Sequence, residues 1–221
     1  MKKLFGIGTG PGDKEYLTLK AVRIMEEAEI IFAPNNNGKN MALDTAKDFI
    51  EEKKIVLIDF SMGKVKKKDY KKAAELIKKE IPDGKSGVFL TIGDPMVYST
   101  FIYLMENIEE LGVEVEIVPG ITSFLAGAAK IKTPITVKGD RFLLVDDIVD
   151  EDVLAETDSI CILKTTKNKE DAINLLKKNR FSYTYIKRCS LEGEKVLKNK
   201  EEILEDKDYI SFILGRRKED D

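Results

Sequence analysis

The chain has 221 residues, a net charge of −3, 43% hydrophobic residues and 35% charged residues, which suits one large domain or two compact ones with charged surfaces. It contains no histidine, which excludes a Ser-His-Asp or Cys-His nucleophilic site and every metal site that needs an imidazole ligand. The net acidity argues against a dedicated nucleic-acid binder. No apolar run approaches the roughly 18 residues of a membrane span, so we expect no membrane partner.

The N-terminus and the cysteines indicate a cytoplasmic protein. The first residues resemble a signal peptide only in two lysines, because glycines interrupt the apolar stretch that follows. Cys161 and Cys189 form no CxxC pattern, and we interpret them as free thiols in a reducing compartment.

Strand-like and helix-like segments alternate along the first half of the chain. Residues 3–8 predict a strand that ends in the glycine-rich turn 8–13, and apolar residues at helical spacing follow. The polar cluster 35–38 predicts a loop. Further strands are predicted at 30–33, 55–58, 87–90 and 113–118, and helices at 41–51, 68–81 and 101–111. This alternation predicts a mostly parallel sheet with helices on both faces.

The second half predicts a smaller α/β unit with shorter elements, some of them in antiparallel pairs. Pro119 and Gly120 end the first unit, so we predict domains at 1–119 and 120–221. A helix of small residues is predicted at 123–129, suited to close packing or to close approach of a ligand. The later predicted segments are 141–145, 159–163, 169–178, 183–186, 195–197 and 209–214.

One stretch is strongly basic. Residues 64–72 read KVKKKDYKK, which raises the question of a nucleic-acid patch. We interpret it instead as a solvated loop that runs into a helix.

Neither common nucleotide motif fits the glycine-rich turn. A GxGxxG pattern that starts at Gly6 requires glycine where Pro11 stands, and one that starts at Gly8 requires glycine where Asp13 stands. A phosphate-binding loop needs Gly-Lys followed by Ser or Thr, and here the acidic Asp13 follows Gly12. The turn itself predicts an acid that caps a helix.

The segment 91–100, TIGDPMVYST, follows a buried apolar strand and leads into a helix. A strand followed by Gly-Asp-Pro and a helix start is how α/β proteins build small-molecule sites at the carboxyl end of a strand. Gly93 allows a ligand to approach the backbone, and Asp94 supplies an acceptor. A capped structural turn explains the same residues.

Four segments together resemble the tetrapyrrole methylase family, whose members use S-adenosylmethionine in corrin and sirohaem synthesis. The segments are 8–13, 17–21, 93–95 and 118–123, in the family's order. Within the family, Tyr98-Ser99-Thr100 after Gly-Asp-Pro most resembles the branch that methylates C20 of precorrin-2 or cobalt-factor II. Segments 138–140 and 162–164 fit that branch less tightly.

The resemblance implies two α/β domains with the cofactor in a cleft between them, usually as a homodimer. In the family the glycine-rich turn faces the tetrapyrrole, so the first domain is expected on that side and the second to complete the S-adenosylmethionine site. The implied cofactor contacts, carried over by position, are Gly93, Asp94, Val97, Thr122, Ser123 and Leu163. Ser211 and Phe212 are further candidates.

The expected chemistry is direct methyl transfer, in which the protein orients two partners and excludes water. Tyr98, Asp13 and a group of the substrate itself are the candidates to take the proton that leaves the macrocycle, and the sequence does not choose among them. Lys138, Arg141 and Lys164 are candidates to bind substrate carboxylates, with ordinary surface charge as the alternative. No cluster of metal ligands is expected, so any cobalt arrives inside the substrate.

Two other functions stay open. Another member of the family would methylate a different tetrapyrrole position, or a protein in diphthamide synthesis, which Tyr98-Ser99-Thr100 fits less well. A non-catalytic sensor of S-adenosylmethionine or of a tetrapyrrole is the alternative from a different class.

Overall fold

The computed structural model describes residues 1–35, 40–60 and 66–218. Most of the predicted loop at 35–38 and the start of the lysine-rich stretch lie outside these residues. The chain divides into two compact units, Met1–Thr122 and Ser123–Asp221, and each is described here by itself. Within the described part of the chain, no helix combines the length and the apolarity that crossing a bilayer requires.

The first unit is a five-stranded parallel sheet with helices on both faces. Its strands are β1 (Lys3–Gly8), β2 (Ile30–Pro34), β3 (Lys54–Ile58), β4 (Ser86–Thr91) and β5 (Glu114–Val118). Its helices are α1 (Leu19–Glu27), α2 (Met41–Ala46), α3 (Lys67–Glu80) and α4 (Phe101–Glu110). The strand order is β3-β2-β4-β1-β5, and every pairing is parallel.

Alternate residues of these strands feed two separate cores, because successive side chains point to opposite faces of a sheet. Phe32 and Phe89 pack against α3 and α4 on one face. Ile31 and Val88 pack against α1 and α2 on the other. Burial on both faces explains why the central strands β2 and β4 read as almost continuous apolar runs, whereas the edge strand β5 carries two glutamates.

The second unit has a mixed five-stranded sheet in the order β6-β7-β10-β8-β9. Its strands are β6 (Phe142–Val145), β7 (Ser159–Leu163), β8 (Phe181–Lys187), β9 (Lys195–Leu197) and β10 (Ser211–Arg217). Its helices are α5 (Ser123–Ile131), α6 (Glu151–Ala155), α7 (Lys169–Lys178) and α8 (Lys200–Glu205). Only β6 and β7 pair in parallel, and the other three pairings are antiparallel.

The α/β class is confirmed, and most predicted elements occur within two or three residues of their expected bounds. The predicted helix at 41–51 is wrong in its second half, where α2 ends at Ala46 and a 3-10 turn covers Lys47–Phe49. The short helices α6 and α8 were not predicted. Each buries a single residue, Leu154 or Ile203, so neither carries the repeated apolar spacing that marks a helix in a sequence.

Candidate functional site

The candidate site lies at the carboxyl ends of the central parallel strands. The helices that follow β1 and β2 pack on one face of the sheet, and the helix that follows β4 packs on the other. Strand β4 lies between β2 and β1, so neighbouring strands send their chains to opposite faces there. A crevice opens at such a point in an open α/β sheet, and ligands bind in it.

Beside β1 this crevice is closed by the two predicted turns, which pair with each other. The N–H of Gly10 donates to the carbonyl of Gly93 at 3.2 Å, and the N–H of Gly93 donates to the carbonyl of Gly10 at 2.7 Å. A Cβ atom on Gly8 would lie 2.5 Å from the Gly93 oxygen and 2.6 Å from the Gly120 nitrogen, so glycine is required there. The glycines therefore bring three chain segments into contact at one edge of the sheet.

Asp94 fixes this arrangement. Its Oδ1 accepts a hydrogen bond from the N–H of Met96 at 2.8 Å, and its Oδ2 accepts one from the N–H of Gly120 at 2.9 Å. The first bond closes the turn and the second joins it to the segment after β5. Bonds from N–H groups to a carboxylate are stronger than neutral ones, so Asp94 holds the shape of the whole edge.

On the β2 side the crevice stays open as a pocket of about 170 Å³ within the first unit. Its lining includes Pro34, Met41, Thr91, Val97 and Tyr98. Pro34 and Thr91 end their strands, while Met41 begins α2. The pocket is thus built from strand ends and helix starts, where parallel sheets place their ligands.

Tyr98 stands in a left-handed backbone conformation, with φ of +47°, and its side chain is 44% exposed. A non-glycine residue in this region costs about 1 kcal/mol or more, and such strain gathers at ligand sites. The conformation sets its side chain in the pocket wall. Next to it, Ser99 Oγ accepts a hydrogen bond from the N–H of Phe101 at 3.1 Å and so shapes the start of α4.

Two buried hydroxyls near the turns have unused hydrogen-bonding capacity. Within the described part of the chain, Thr91 Oγ1 and Thr122 Oγ1 have no hydrogen-bond partner. An unpaired buried hydroxyl costs about 1–3 kcal/mol, and native proteins keep few of them. The edge of the sheet therefore fits a ligand that is rich in hydrogen-bonding groups.

The other predicted residue of the first unit lies elsewhere. Asp13 is exposed and caps the 3-10 turn Lys14–Tyr16, where its Oδ1 accepts from the N–H of Glu15 at 2.9 Å. It is not among the described residues that line the pocket. This geometry gives it the capping role, and its catalytic role stays a prediction.

The second unit carries the remaining predicted contacts. Ser123 begins α5, and Leu163 ends β7 beside a pocket of about 200 Å³ within that unit. Lys164 lines the same pocket, whereas the guanidinium of Arg141 pairs with Glu156. Ser211 Oγ donates to the carbonyl of Asp208 at 2.8 Å, so its hydroxyl is used internally.

The sequence analysis identified the segment that begins at Thr91 but missed the contributions of Asn40 and Met41 to the pocket. Asn40 Nδ2 donates to the carbonyl of Pro34 at 2.6 Å, while its Oδ1 accepts from the N–H of Leu43 at 3.2 Å. Asn40 therefore joins the end of β2 to the start of α2. An asparagine before a helix signals a cap, but only the pairing of β2 with β4 places it at the site.

Comparison with known proteins identifies a family and several relatives. The family model described as Tetrapyrrole (Corrin/Porphyrin) Methylases matches residues 3–205. The chain is 39% identical to a probable cobalt-precorrin-2 C(20)-methyltransferase of Methanocaldococcus jannaschii, over 98% of this chain and 97% of that protein. It is 31% identical to the cobalt-precorrin-2 C(20)-methyltransferase of Salmonella typhimurium, over 73% of this chain and 72% of that protein.

A solved structure shares the fold. Uroporphyrin-III C-methyltransferase from Thermus thermophilus, complexed with S-adenosylhomocysteine, aligns with a TM-score of 0.70 at 20% identity, covering 97% of each chain. Identity this low establishes the fold alone.

Proposed function

Because this chain belongs to the tetrapyrrole (corrin/porphyrin) methylase family, we propose that it is an S-adenosylmethionine-dependent C-methyltransferase of cobalamin biosynthesis that methylates C20 of a precorrin-2-type tetrapyrrole. The observation that carries the proposal is the end-to-end similarity to the Methanocaldococcus jannaschii protein named for this reaction. The Salmonella typhimurium relative is named for the same position.

The cobalt-bound form of the substrate is the one we propose. Both relatives are named for cobalt-precorrin-2, which favours a cobalt-bound substrate over metal-free precorrin-2. The described residues include no group of three or more acidic or cysteine side chains that fits a metal ion. We propose that cobalt is part of the substrate, held by the macrocycle, as the names of both relatives suggest.

The edge of the first sheet fits S-adenosylmethionine. Gly93 has φ of +71° and open space where a side chain would stand, so a ligand can reach its backbone. Thr122 offers an unpaired buried hydroxyl to a ligand that carries ribose, amino and carboxylate groups. We assign Gly93, Val97 and Thr122 to direct contact, and Asp94 to holding the turn in place. Ser123 and Leu163 of the second unit complete the proposed set.

Bound S-adenosylmethionine supplies an activated methyl group, so the protein has to orient two reactants and exclude water. The paired turns at Gly10 and Gly93 and the Asp94–Gly120 bond provide the rigid frame for this task. Well-oriented reactants can recover about 7–11 kcal/mol of a bimolecular barrier. Rigidity at the end of β4 is therefore the main contribution of the first unit.

A proton must leave the macrocycle carbon after methylation. Tyr98 lines the pocket, whereas the carboxylate of Asp13 is exposed and occupied in a cap. We therefore propose the hydroxyl of Tyr98 as the group that passes this proton to water.

The test is an incubation with S-adenosylmethionine labelled in its methyl group, run separately with precorrin-2 and cobalt-factor II. Mass spectrometry counts the methyl groups transferred, and NMR locates the labelled carbon. We expect one label at C20, with the higher kcat/KM on cobalt-factor II. Label at another carbon would point to a different branch of the family, and cofactor binding without transfer would favour the sensor.

We also propose an oligomeric state, a cellular location and a role for each unit. The family resemblance supports a homodimer, with a first unit that binds the tetrapyrrole and a second unit that completes the cofactor site. The sequence of the N-terminus and the unpatterned cysteines support a cytoplasmic location. Sedimentation velocity of the purified protein tests the dimer, and a single monomeric species would contradict it.

A further inference from the structure

The N-terminal part of α3 concentrates positive charge on an otherwise acidic protein. Five exposed lysines lie between its N-cap and its second turn: Lys66, Lys67, Lys68, Lys71 and Lys72. With Asp69 they give this segment a net charge of +4, against −3 for the whole chain. Among the described residues none of the five forms an ion pair, whereas Lys20 and Lys54, for example, are each paired with a glutamate.

Aromatic rings lie beside these lysines. The rings of Phe60 and Tyr70 are 5.7 Å apart, and those of Tyr70 and Tyr103 are 5.5 Å apart. Tyr103 is 58% exposed. Since residues three and four apart share a helix face, Lys66 and Lys67 lie next to Tyr70 on α3. We call Lys66, Lys67, Lys71, Tyr70 and Tyr103 the lysine–tyrosine surface.

This surface adjoins the pocket at both ends. Ile58, the last residue of β3, is in register with Pro34 in the pocket wall, and Phe60 follows two residues later. At the other end, Thr100 lines the pocket and Tyr103 follows on the first turn of α4. The rings therefore connect the end of β3 to the helix that leaves the pocket.

We propose that the lysine–tyrosine surface is the docking site for the carboxylates of the tetrapyrrole substrate before the macrocycle reaches the pocket. This inference rests on the proposed function. A precorrin-2-type tetrapyrrole carries many carboxylates around a broad apolar ring system. Unpaired ammonium groups attract the carboxylates, while the exposed tyrosine face offers contact to the ring.

The charge balance supports this occupant. A polyanion is repelled by an acidic protein unless local positive charge guides it, and guidance of this kind raises association rates by about 10–10³-fold. The attraction weakens with salt, because the Debye length falls from about 30 Å at 0.01 M to about 8 Å at 0.15 M. Docking at the lysines thus predicts a strongly salt-dependent kcat/KM.

The test compares two triple variants of the full chain. In the first, Lys66, Lys67 and Lys71 are each changed to glutamine, a good helix former. In the control, Lys79, Lys195 and Lys198, which are also exposed, are changed in the same way and remove the same charge. Steady-state kinetics with the tetrapyrrole at several salt concentrations and equilibrium binding of uroporphyrin, a polycarboxylate porphyrin, are measured for both.

We expect the first variant to raise the KM for the tetrapyrrole about tenfold, with kcat and the KM for S-adenosylmethionine within twofold of wild type. Its kcat/KM should lose most of its salt dependence, and its uroporphyrin affinity should fall by a similar factor. Tyr103→Ser should weaken uroporphyrin binding further, and Tyr103→Phe should not. The control variant should behave like wild type.

The docking site would be overturned if the two triple variants had equal KM values, equal salt dependence and equal uroporphyrin affinity. The lysines would then be assigned to an acidic protein partner instead. Because uroporphyrin binding needs no methyl transfer, this result is separable from failure of the proposed function. A label found away from C20 refutes the proposed function. The comparison of uroporphyrin affinities still tests whether the lysine–tyrosine surface binds a polycarboxylate tetrapyrrole.

Discussion

One edge of the first sheet and one polar network of the second unit differ in how their buried polar groups are paired. At the edge of the first sheet, the hydroxyls of Thr91 and Thr122 are buried and have no partner among the described residues. In the second unit the buried Lys169 ammonium, only 7% exposed, donates to the carbonyl of Ile203 at 2.9 Å and to that of Asp206.

The network of the second unit extends further. The Lys169 ammonium lies 5.0 Å from the centroid of the Tyr185 ring, and the Tyr185 hydroxyl donates to Asp206 Oδ1 at 2.9 Å. Burial lowers the pKa of Lys169 and raises the pKa of Tyr185. Every one of these groups has a partner within the unit. The Lys169 network therefore uses buried polarity for stability, whereas the hydroxyls of Thr91 and Thr122 at the edge of the first sheet stay available for a ligand.

The largest expected effect comes from removing the proposed proton-transfer group at the edge of the first sheet. Tyr98→Phe should lower kcat about 100-fold while the KM values change less than threefold, because removing the proposed proton acceptor affects the chemical step. Steady-state kinetics check this. Tyr183→Phe, in the second unit, is the control and should keep the wild-type kcat. An unchanged kcat in Tyr98→Phe would exclude its hydroxyl from proton transfer.

Asp94→Ala removes the bonds that join two turns at the same edge. We expect about a 100-fold loss of S-adenosylhomocysteine affinity, because two bonds from N–H groups to a carboxylate disappear and Gly93 is no longer fixed. Isothermal titration calorimetry measures it. Asp94→Asn keeps one acceptor oxygen and should lose less. Wild-type affinity in the alanine variant would show that Asp94 does not support the site.

Lys169→Met tests the opposite region. We expect the free energy of unfolding to fall by about 2 kcal/mol, because two buried carbonyls lose a charged donor, while methionine has a similar length and fills the same space. Urea denaturation measures the loss. S-adenosylhomocysteine affinity of the folded variant should stay within twofold of wild type. A large loss of affinity with unchanged stability would reverse the contrast between the units.

A matched threonine pair sharpens the comparison. Thr122→Val removes an unpaired hydroxyl and should raise the free energy of unfolding by up to about 1 kcal/mol, yet weaken cofactor binding about fivefold. Thr157→Val removes a hydroxyl that donates to the carbonyl of Val153 at 2.9 Å, so it should lower stability by about 1 kcal/mol with binding unchanged. Thermal denaturation and calorimetry are run side by side. Equal stability losses in both variants would contradict the account.

The smallest effect concerns acid stability of the first unit away from the site. Hydrogen bonds from Lys20 and then Lys3 lower the pKa of Glu116 from its ordinary value of 4.5 to about 2. A carboxyl whose pKa is lower in the folded state stabilises the fold above pH 4.5, and this contribution is lost as the pH falls from 4.5 towards 2. The side chain is partly exposed, so the contribution should be below about 1 kcal/mol.

Glu116→Gln should therefore lower stability at pH 6 slightly and flatten its decline between pH 4.5 and 2. Chemical denaturation across that range measures the difference. Glu109→Gln, an exposed change on α4, should leave the pH profile of wild type intact.

Local patterns in the sequence were sufficient to predict most strands and the two turns. Apolar runs followed by glycine predicted β1 and β4, and helical spacing predicted α3 and α7. The spacing of Gly-Asp-Pro also indicated a ligand turn at Gly93, although its contacts with a cofactor remain a proposal.

What the sequence could not predict depends on distant pairing. The bond between Gly10 and Gly93 joins residues far apart in the chain, and it exists because β1 and β4 are neighbours in the sheet. The partner of Asp94, the Gly120 amide, follows from the place of β5 beside β1. Strand order is a property of the whole fold, and no local pattern encodes it.

The most direct test of the account maps the ligand onto the two regions. Titration of S-adenosylhomocysteine into nitrogen-15-labelled protein, followed by amide chemical shifts, reports both units in one experiment. We predict that the amides of Gly93, Val97 and Thr122 shift most, and that those of Lys169 and Tyr185 stay unchanged. Shifts confined to the Lys169 network, with the turn after β4 unaffected, would contradict the proposed site.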